Sequence, residues 1–211
     1  MSGMCDMRLF RTTLVAITLA TLMAACANGE KESSFRGFES TAEAPASSTT
    51  TTPLSMASLV LSADGLGPLS FGTQAAQALG ALTQALGRAE SSTIVPQGTT
   101  CDATRIFRWK DLDVLVNEVG GRSGGRAGLV GWSVGVTAPS GLGLKTEKGL
   151  GTGQTVSAFR AAYGESVSIA QGESGPILTI TASNGVLTGE ADGLSDASKI
   201  KTLRAGVACA V

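Results

Sequence analysis

The 211-residue chain contains no histidine. This removes the commonest general base near neutral pH and the commonest neutral metal ligand. The chain also lacks an excess of charge of either sign, with 16 Lys and Arg against 17 Asp and Glu. Bulk electrostatics therefore favour neither nucleic acid nor an anionic membrane surface as a partner. None of the four cysteines forms a Cys-x-x-Cys pair, which argues against a redox role. Aromatic residues are scarce, with two Trp and one Tyr. Glycine is the abundant residue, at 28 positions.

The N-terminal stretch reads as a targeting segment over 1–25. Arg8 and Arg11 supply a basic start, and Leu14 to Ala25 is an apolar run in the range of a signal-peptide core, short for a membrane span. Met1, Met4 and Met7 are alternative starts. The run closes with Leu22-Met23-Ala24-Ala25-Cys26, which resembles a bacterial lipobox, with Met23 where Leu is usual. The resemblance implies a lipidated Cys26 as the first mature residue, on the extracytoplasmic face of the cell membrane. The alternative is an ordinary signal peptide cut near Ala25. Each buried acyl methylene contributes about 0.8 kcal/mol, so a multiply acylated Cys26 would hold durably to a bilayer. Residues 26–56, rich in Ser, Thr, Ala and Glu, then read as a disordered tether.

Once the signal and the lipid site are set aside, Cys101 and Cys209 remain as an even pair in an exported domain, and are expected to form a disulfide. Two free buried thiols are the alternative.

The globular part is expected over 57–211, in units of about 57–140 and 141–211. Leu59-Val60-Leu61 is a short strand. Thr73 is placed to cap a helix over Gln74 to Leu86, whose Ala75, Leu79, Leu82 and Leu86 form one apolar stripe, with Gly87 as its stop. Arg88 to Thr100 reads as a loop. A period of two follows over Arg105–Trp109 and Leu112–Val116, around a Lys110-Asp111 turn. In the next strand, Leu129–Thr137, Val130, Trp132, Val134 and Val136 alternate with Gly131, Ser133 and Gly135. A second helix runs through Val156, Phe159 and Tyr163, capped by Thr152 or Thr155 and stopped by Gly164. Strands follow at 166–170, 176–182, 186–190 and 200–209, with Asn184-Gly185 as a hairpin turn.

Gly65-Leu66-Gly67 and Gly149-Leu150-Gly151 each lead into one of these helices, and the hairpins and third strands behind them correspond by role. The expected fold is α+β: two degenerate repeats of a short helix followed by antiparallel strands, with the helices packed on one sheet face. A glycine turn, a short helix ending in Leu or an aromatic plus Gly, and then a strand meander resemble the repeat of the beta-lactamase-inhibitory-protein-like fold. The small outer-membrane assembly lipoproteins are similar to one such unit. The resemblance implies a sheet surface for protein binding. The whole layout also resembles small actinobacterial cell-envelope lipoproteins.

The chemical motifs are weak. Gly131-Trp132-Ser133-Val134-Gly135 matches a nucleophile-elbow pattern, but a chain without His lacks the usual base, and the motif sits in an alternating strand. Gly120 to Arg126 is a Gly/Arg/Ser loop without Walker spacing. Glu190, Asp192 and Asp196 do not have EF-hand spacing. No catalytic residue, metal site or cofactor is therefore expected. Trp109, Trp132, Arg122 and Arg126 are the candidates for contact with a partner, and sheet core is the competing role for the two Trp. The functional expectation is a non-catalytic, membrane-anchored lipoprotein that binds an unidentified envelope protein. The alternative is a small-ligand or lipid carrier.

Overall fold

The computed structural model describes residues 53–96, 101–118, 127–135, 141–207 and 209. The signal, Cys26, nearly all of the tether, and the loop bearing Arg122 and Arg126 lie outside the described residues.

Leu54 already packs against the main core, ahead of a single 3-10 turn at Met56–Ser58. A small sheet follows. Strands β1 (Val60–Ser62), β2 (Gly65–Leu66) and β3 (Leu69–Ser70) form an antiparallel meander, and β8 (Lys145–Thr146) joins β1 in parallel. The first Gly-Leu-Gly phrase is thus part of a strand turn. A Cβ at Gly65 would run into the Leu69 main chain.

Helix α1 spans Ala75–Leu86. Thr73 does not cap it, because the Thr73 hydroxyl instead donates to the Ser70 carbonyl (2.7 Å) and Gln74 occupies the cap position. Gly87, at φ 81°, ends the helix with its N–H on the Thr83 carbonyl (2.9 Å). Ala78 and Leu82 are buried, whereas Gly80 faces open space, so its missing side chain costs no packing.

The expected loop after α1 contains strand β4 (Ser91–Ile94), which pairs with β5 (Arg105–Trp109). Strands β6 (Leu112–Asn117) and β7 (Gly128–Gly135) complete a four-stranded meander. The Lys110-Asp111 turn forms as the sequence indicates, with Lys110 at φ 52°. The alternation in β7 breaks at a bulge. Leu115 pairs with Gly131 and Val116 with Leu129, which leaves Val130 as the extra residue. Val130 therefore joins Ile106 and Leu115 on the face opposite Trp132 and Val134, contrary to strict alternation.

Helix α2 (Val156–Tyr163) is capped by Thr155, whose hydroxyl accepts the Ala158 N–H (3.3 Å), and is stopped at Gly164. A second antiparallel meander follows: β9 (Val167–Gly172), β10 (Gly175–Ala182), β11 (Gly185–Ala191) and β12 (Ile200–Gly206). The β10–β11 loop residues are Ser183 and Asn184, one position earlier than Asn184-Gly185 suggests. Gly185 is the first residue of β11, at φ 149°, and a Cβ there would sit 2.9 Å from the Ala63 carbonyl oxygen.

The two meanders join through β7 and β12 into one eight-stranded sheet of order β4-β5-β6-β7-β12-β11-β10-β9. The main core cluster lies against one face. It gathers Trp132, Val134, Leu178, Ile180, Leu187 and Leu203 from the sheet, Ala78 and Leu82 from α1, Val156 and Phe159 from α2, and Leu61 and Leu66 from the small sheet. This is an α+β architecture dominated by antiparallel strands.

Candidate functional site

The opposite face of the sheet is where the chain departs from simple packing. The pairing register aligns Ser91, Arg108, Asp113, Ser133, Arg204, Thr188, Thr179 and Ser168 side by side across all eight strands. Adjacent strands lie about 4.8 Å apart, so this polar row runs roughly 34 Å. Every member is half-buried or exposed. By alternation the row in β5–β7 and β9–β12 points away from the main core, into which the flanking residues pack, whereas edge strand β4 is exposed throughout.

Its charges are locally organised. Arg108 grips Asp113 bidentately, Nε to Oδ1 at 2.6 Å and Nη2 to Oδ2 at 2.7 Å. This contact raises the Arg108 pKa, so its charge is permanent. Arg204 donates from Nε to the Thr188 hydroxyl (3.1 Å) and lies 3.9 Å from Glu190.

The two halves of this face differ. Over β5–β7 a second apolar cluster forms from Val95, Cys101, Ala103, Ile106, Leu115 and Val130, with Val207 and Cys209 packed on it. The Cys101–Cys209 disulfide, expected from the sequence, is present with Cα atoms 5.0 Å apart. After β12 the chain turns at Gly206, and Val207 donates its N–H to the Val130 carbonyl (2.9 Å). Cys209 then lies over Ile106 and Asp113, with a depression of about 190 Å³ on one side and one of about 90 Å³ on the other. The chain end thus straps the first half. Over β9–β12, among the described residues, nothing packs on the face. Thr181, Ser168, Ala170 and Val186 are exposed, and Ile177, Thr179 and Thr188 are half-buried.

The two tryptophans are not on this surface. Trp109 is 3% exposed and its indole N–H donates to the Gly87 carbonyl (2.8 Å). Trp132 is fully buried and donates to the Ser62 carbonyl (3.0 Å). Each ring packs in the main core with its one polar atom satisfied, which fits the core role, and Trp109 also borders the groove described next. The half-buried Phe107 lies 6.3 Å from Trp109 and beneath the Arg105 guanidinium, 5.9 Å from the ring centroid. It lines a groove of about 590 Å³ that also includes Leu79, Ala89 and the edge residue Ser92.

Ser133 sits within β7, which runs through the Gly-x-Ser-x-Gly motif without the strand-to-helix turn of a nucleophile elbow. Its cross-strand neighbours are Asp113 and Arg204. The acidic loop residues are committed separately: Asp192 Oδ1 accepts the Lys199 N–H (2.8 Å), Asp196 pairs with Arg160 (3.5 Å), and Glu190 faces Arg204. Among the described residues, no three Cys, Asp or Glu side chains gather as metal ligands would.

No family model, curated protein or solved structure matches the chain.

Proposed function

We propose that the protein is a membrane-anchored, extracytoplasmic lipoprotein whose folded domain is a non-catalytic protein-binding module. We also read its two halves as degenerate repeats of one unit. The helix stops at Gly87 and Gly164, the edge strands β4 and β9, and the hairpins β5–β6 and β10–β11 are the corresponding parts. The observation that carries the binding role is the bare polar face of β9–β12, at the end of the eight-strand row. A face that carries Thr, Ser and one Arg beside Ala170, Ile177 and Val186 holds hydrogen-bonding positions in a hydrogen-bonded sheet, as interfaces with polar surfaces require. The anchor rests on the lipobox-like sequence before Cys26.

Photo-crosslinking in the producing cell tests the binding role. A crosslinking residue at Thr179 or Thr188 is expected to give one discrete adduct, and the same residue at Gln84 on α1 none. Equal labelling from both sides, or none from either, sinks the reading. A Cys26→Ser variant is expected to leave the membrane fraction, and retention there counts against the anchor. A carrier role is the second reading, favoured by the Phe107-lined groove.

A further inference from the structure

The two edges of the eight-stranded sheet are built differently. Edge strand β4 has four residues, with Glu90 just before it and Pro96 shortly after it. Short length, charge and proline are the usual guards against pairing with a further strand. The other edge, β9, runs Val167-Ser168-Ile169-Ala170-Gln171-Gly172, with no charge, no proline and no bulge against β10. The two-residue loop Glu173-Ser174 sets its hydrogen-bond phase. Gly172, Ala170 and Ser168 turn their N–H and C=O groups to β10, so those of Val167, Ile169 and Gln171 point outward. The Val167 N–H is spent on the Gly164 carbonyl. Among the described residues, the Val167 carbonyl and both groups of Ile169 and Gln171 have no partner. Val167 and Ile169 pack partly buried against the main core, while Ser168 and Ala170 stand on the bare face. Glu165 and Glu173 flank the strand, both exposed and in no ion pair among the described residues.

We propose that β9 accepts an extended segment of the partner protein as a ninth, antiparallel strand, with apolar and polar residues alternating and a basic residue at each end. This deepens the protein-binding reading and rests on it. The outward backbone groups supply the hydrogen bonds of strand addition. Segment residues opposite Val167 and Ile169 extend the apolar layer of the core, and those opposite Ser168 and Ala170 extend the polar face. The basic ends meet Glu165 and Glu173. A second copy of the chain is a poorer occupant. Two β9 edges centred on Ile169 would set Glu165 opposite Glu173 at both ends, and like charges directly opposite destabilise a strand pair. The chain's own Thr-rich stretch is poorer as well, since residues 37–87 contain no Lys or Arg.

The test uses the full-length protein in detergent and the capped peptide Lys-Thr-Val-Thr-Val-Thr-Val-Thr-Lys, read by backbone amide resonances and their hydrogen exchange. The peptide is expected to shift Ile169 and Gln171 saturably and to slow their exchange about ten-fold, with Ser92 and Ile94 of β4 unchanged. The same peptide with Glu at both ends should bind about ten-fold more weakly. N-methylation of its Val residues, whose N–H groups face β9, should abolish binding, and N-methylation of its Thr residues should not. A Glu165→Lys, Glu173→Lys variant should prefer the Glu-ended peptide. Gln171→Pro deletes an outward N–H that the fold does not use, and should weaken the Lys-ended peptide about ten-fold while Leu178 and Ile180 stay protected. Equal binding of the two N-methylated peptides overturns the proposal, as does a Lys-ended peptide that leaves Ile169 and Gln171 unmoved. Slow exchange of these two amides in the free protein also overturns it, because the edge is then covered by the chain's own N-terminal segment or by a second copy. A discrete crosslink from Thr179 or Thr188 without peptide binding at β9 would strike this inference and leave the protein-binding reading standing.

Discussion

The same sheet is built in two ways. In β5–β7 both faces are covered, by the main core on one side and by the disulfide-strapped cluster on the other. In β9–β12, among the described residues, the face opposite the main core is half-buried to exposed. The side chains follow suit. Leu112-Asp113-Val114-Leu115-Val116 and Leu129-Val130-Gly131-Trp132 are nearly continuous in burial, whereas Leu178-Thr179-Ile180-Thr181 and Leu187-Thr188-Gly189-Glu190 alternate. A meander buried on two faces needs apolar residues at consecutive positions, and one buried on a single face needs them at every second position. The strap accounts for the difference. Without Val207 and Cys209 in place, Ile106, Leu115 and Val130 would keep only Val95, Cys101 and Ala103 as cover on that face.

The largest expected effect therefore comes from removing the strap. The Cys101–Cys209 bond closes a separation of 108 residues. In the chain-entropy model a loop of that size contributes about 4–5 kcal/mol, before any native strain is subtracted. A Cys101→Ser, Cys209→Ser double variant is expected to lose several kcal/mol in urea unfolding. Hydrogen exchange should quicken first at Leu115 and Val130, with Leu178 and Ile180 still protected. Uniform loosening of both halves would show that the strap serves the whole sheet and would break the comparison.

A matched pair of substitutions sharpens it at the level of single side chains. Leu115 and Thr188 occupy the same face in the two halves. Leu115→Ala deletes buried apolar volume and is expected to cost about 2–5 kcal/mol. Thr188→Ala, on the bare half, removes only the hydroxyl that accepts from Arg204 and is expected to stay within about 0.5 kcal/mol. Equal costs in urea unfolding would mean that the second half is covered as well. A smaller effect belongs to Asp113→Asn. Its partner Arg108 is more than half exposed in its side chain, so loss of the bidentate contact should cost about 0.2–1 kcal/mol and shrink with added salt.

The sequence carried much of this architecture, and the places where it failed share a cause. Both helices were legible because Ala75–Leu86 and Val156–Tyr163 combine helical spacing with glycine stops. The cysteine pair was legible by elimination. Strand β4 was not, because Ser91-Ser92-Thr93-Ile94 is an exposed edge and has no buried face to impose a period. The shift of Val130 was hidden because a bulge depends on the partner strand. The aligned polar row is likewise a product of seven strand pairings, several between residues far apart in the chain. Asn117 resembled an ordinary residue at a strand end, and only the packing around it reveals an amide buried without a hydrogen bond. Arg122 and Arg126 stay as the sequence left them, outside the described residues.

The smallest prediction concerns the turn between β1 and β2, where Trp132 of β7 donates to the Ser62 carbonyl and the β10–β11 turn lies against Ala63. Gly185 abuts Ala63, and Asp64 receives the Ser62 hydroxyl. That hydrogen bond, helped by the Asn184 side chain in the β10–β11 turn, holds the Asp64 carboxyl below the usual carboxylate range against the opposing pull of desolvation. A depressed pKa contributes stability above the unfolded value, about 3.9, which is lost as the pH falls through the lower folded value. The urea midpoint of the wild type should therefore drop by a small extra step between about pH 5 and the folded pKa, and Asp64→Asn should lack that step, with a cost of about 0.5 kcal/mol or less at pH 6. Because the Asp64 carboxyl is held by Ser62 and by Asn184 of the β10–β11 turn, neither of which touches the disulfide, the acid step should persist unchanged in the double Cys→Ser variant. If it vanishes with the disulfide, the small sheet senses the strap, and the two halves are coupled more tightly than their separate coverings imply.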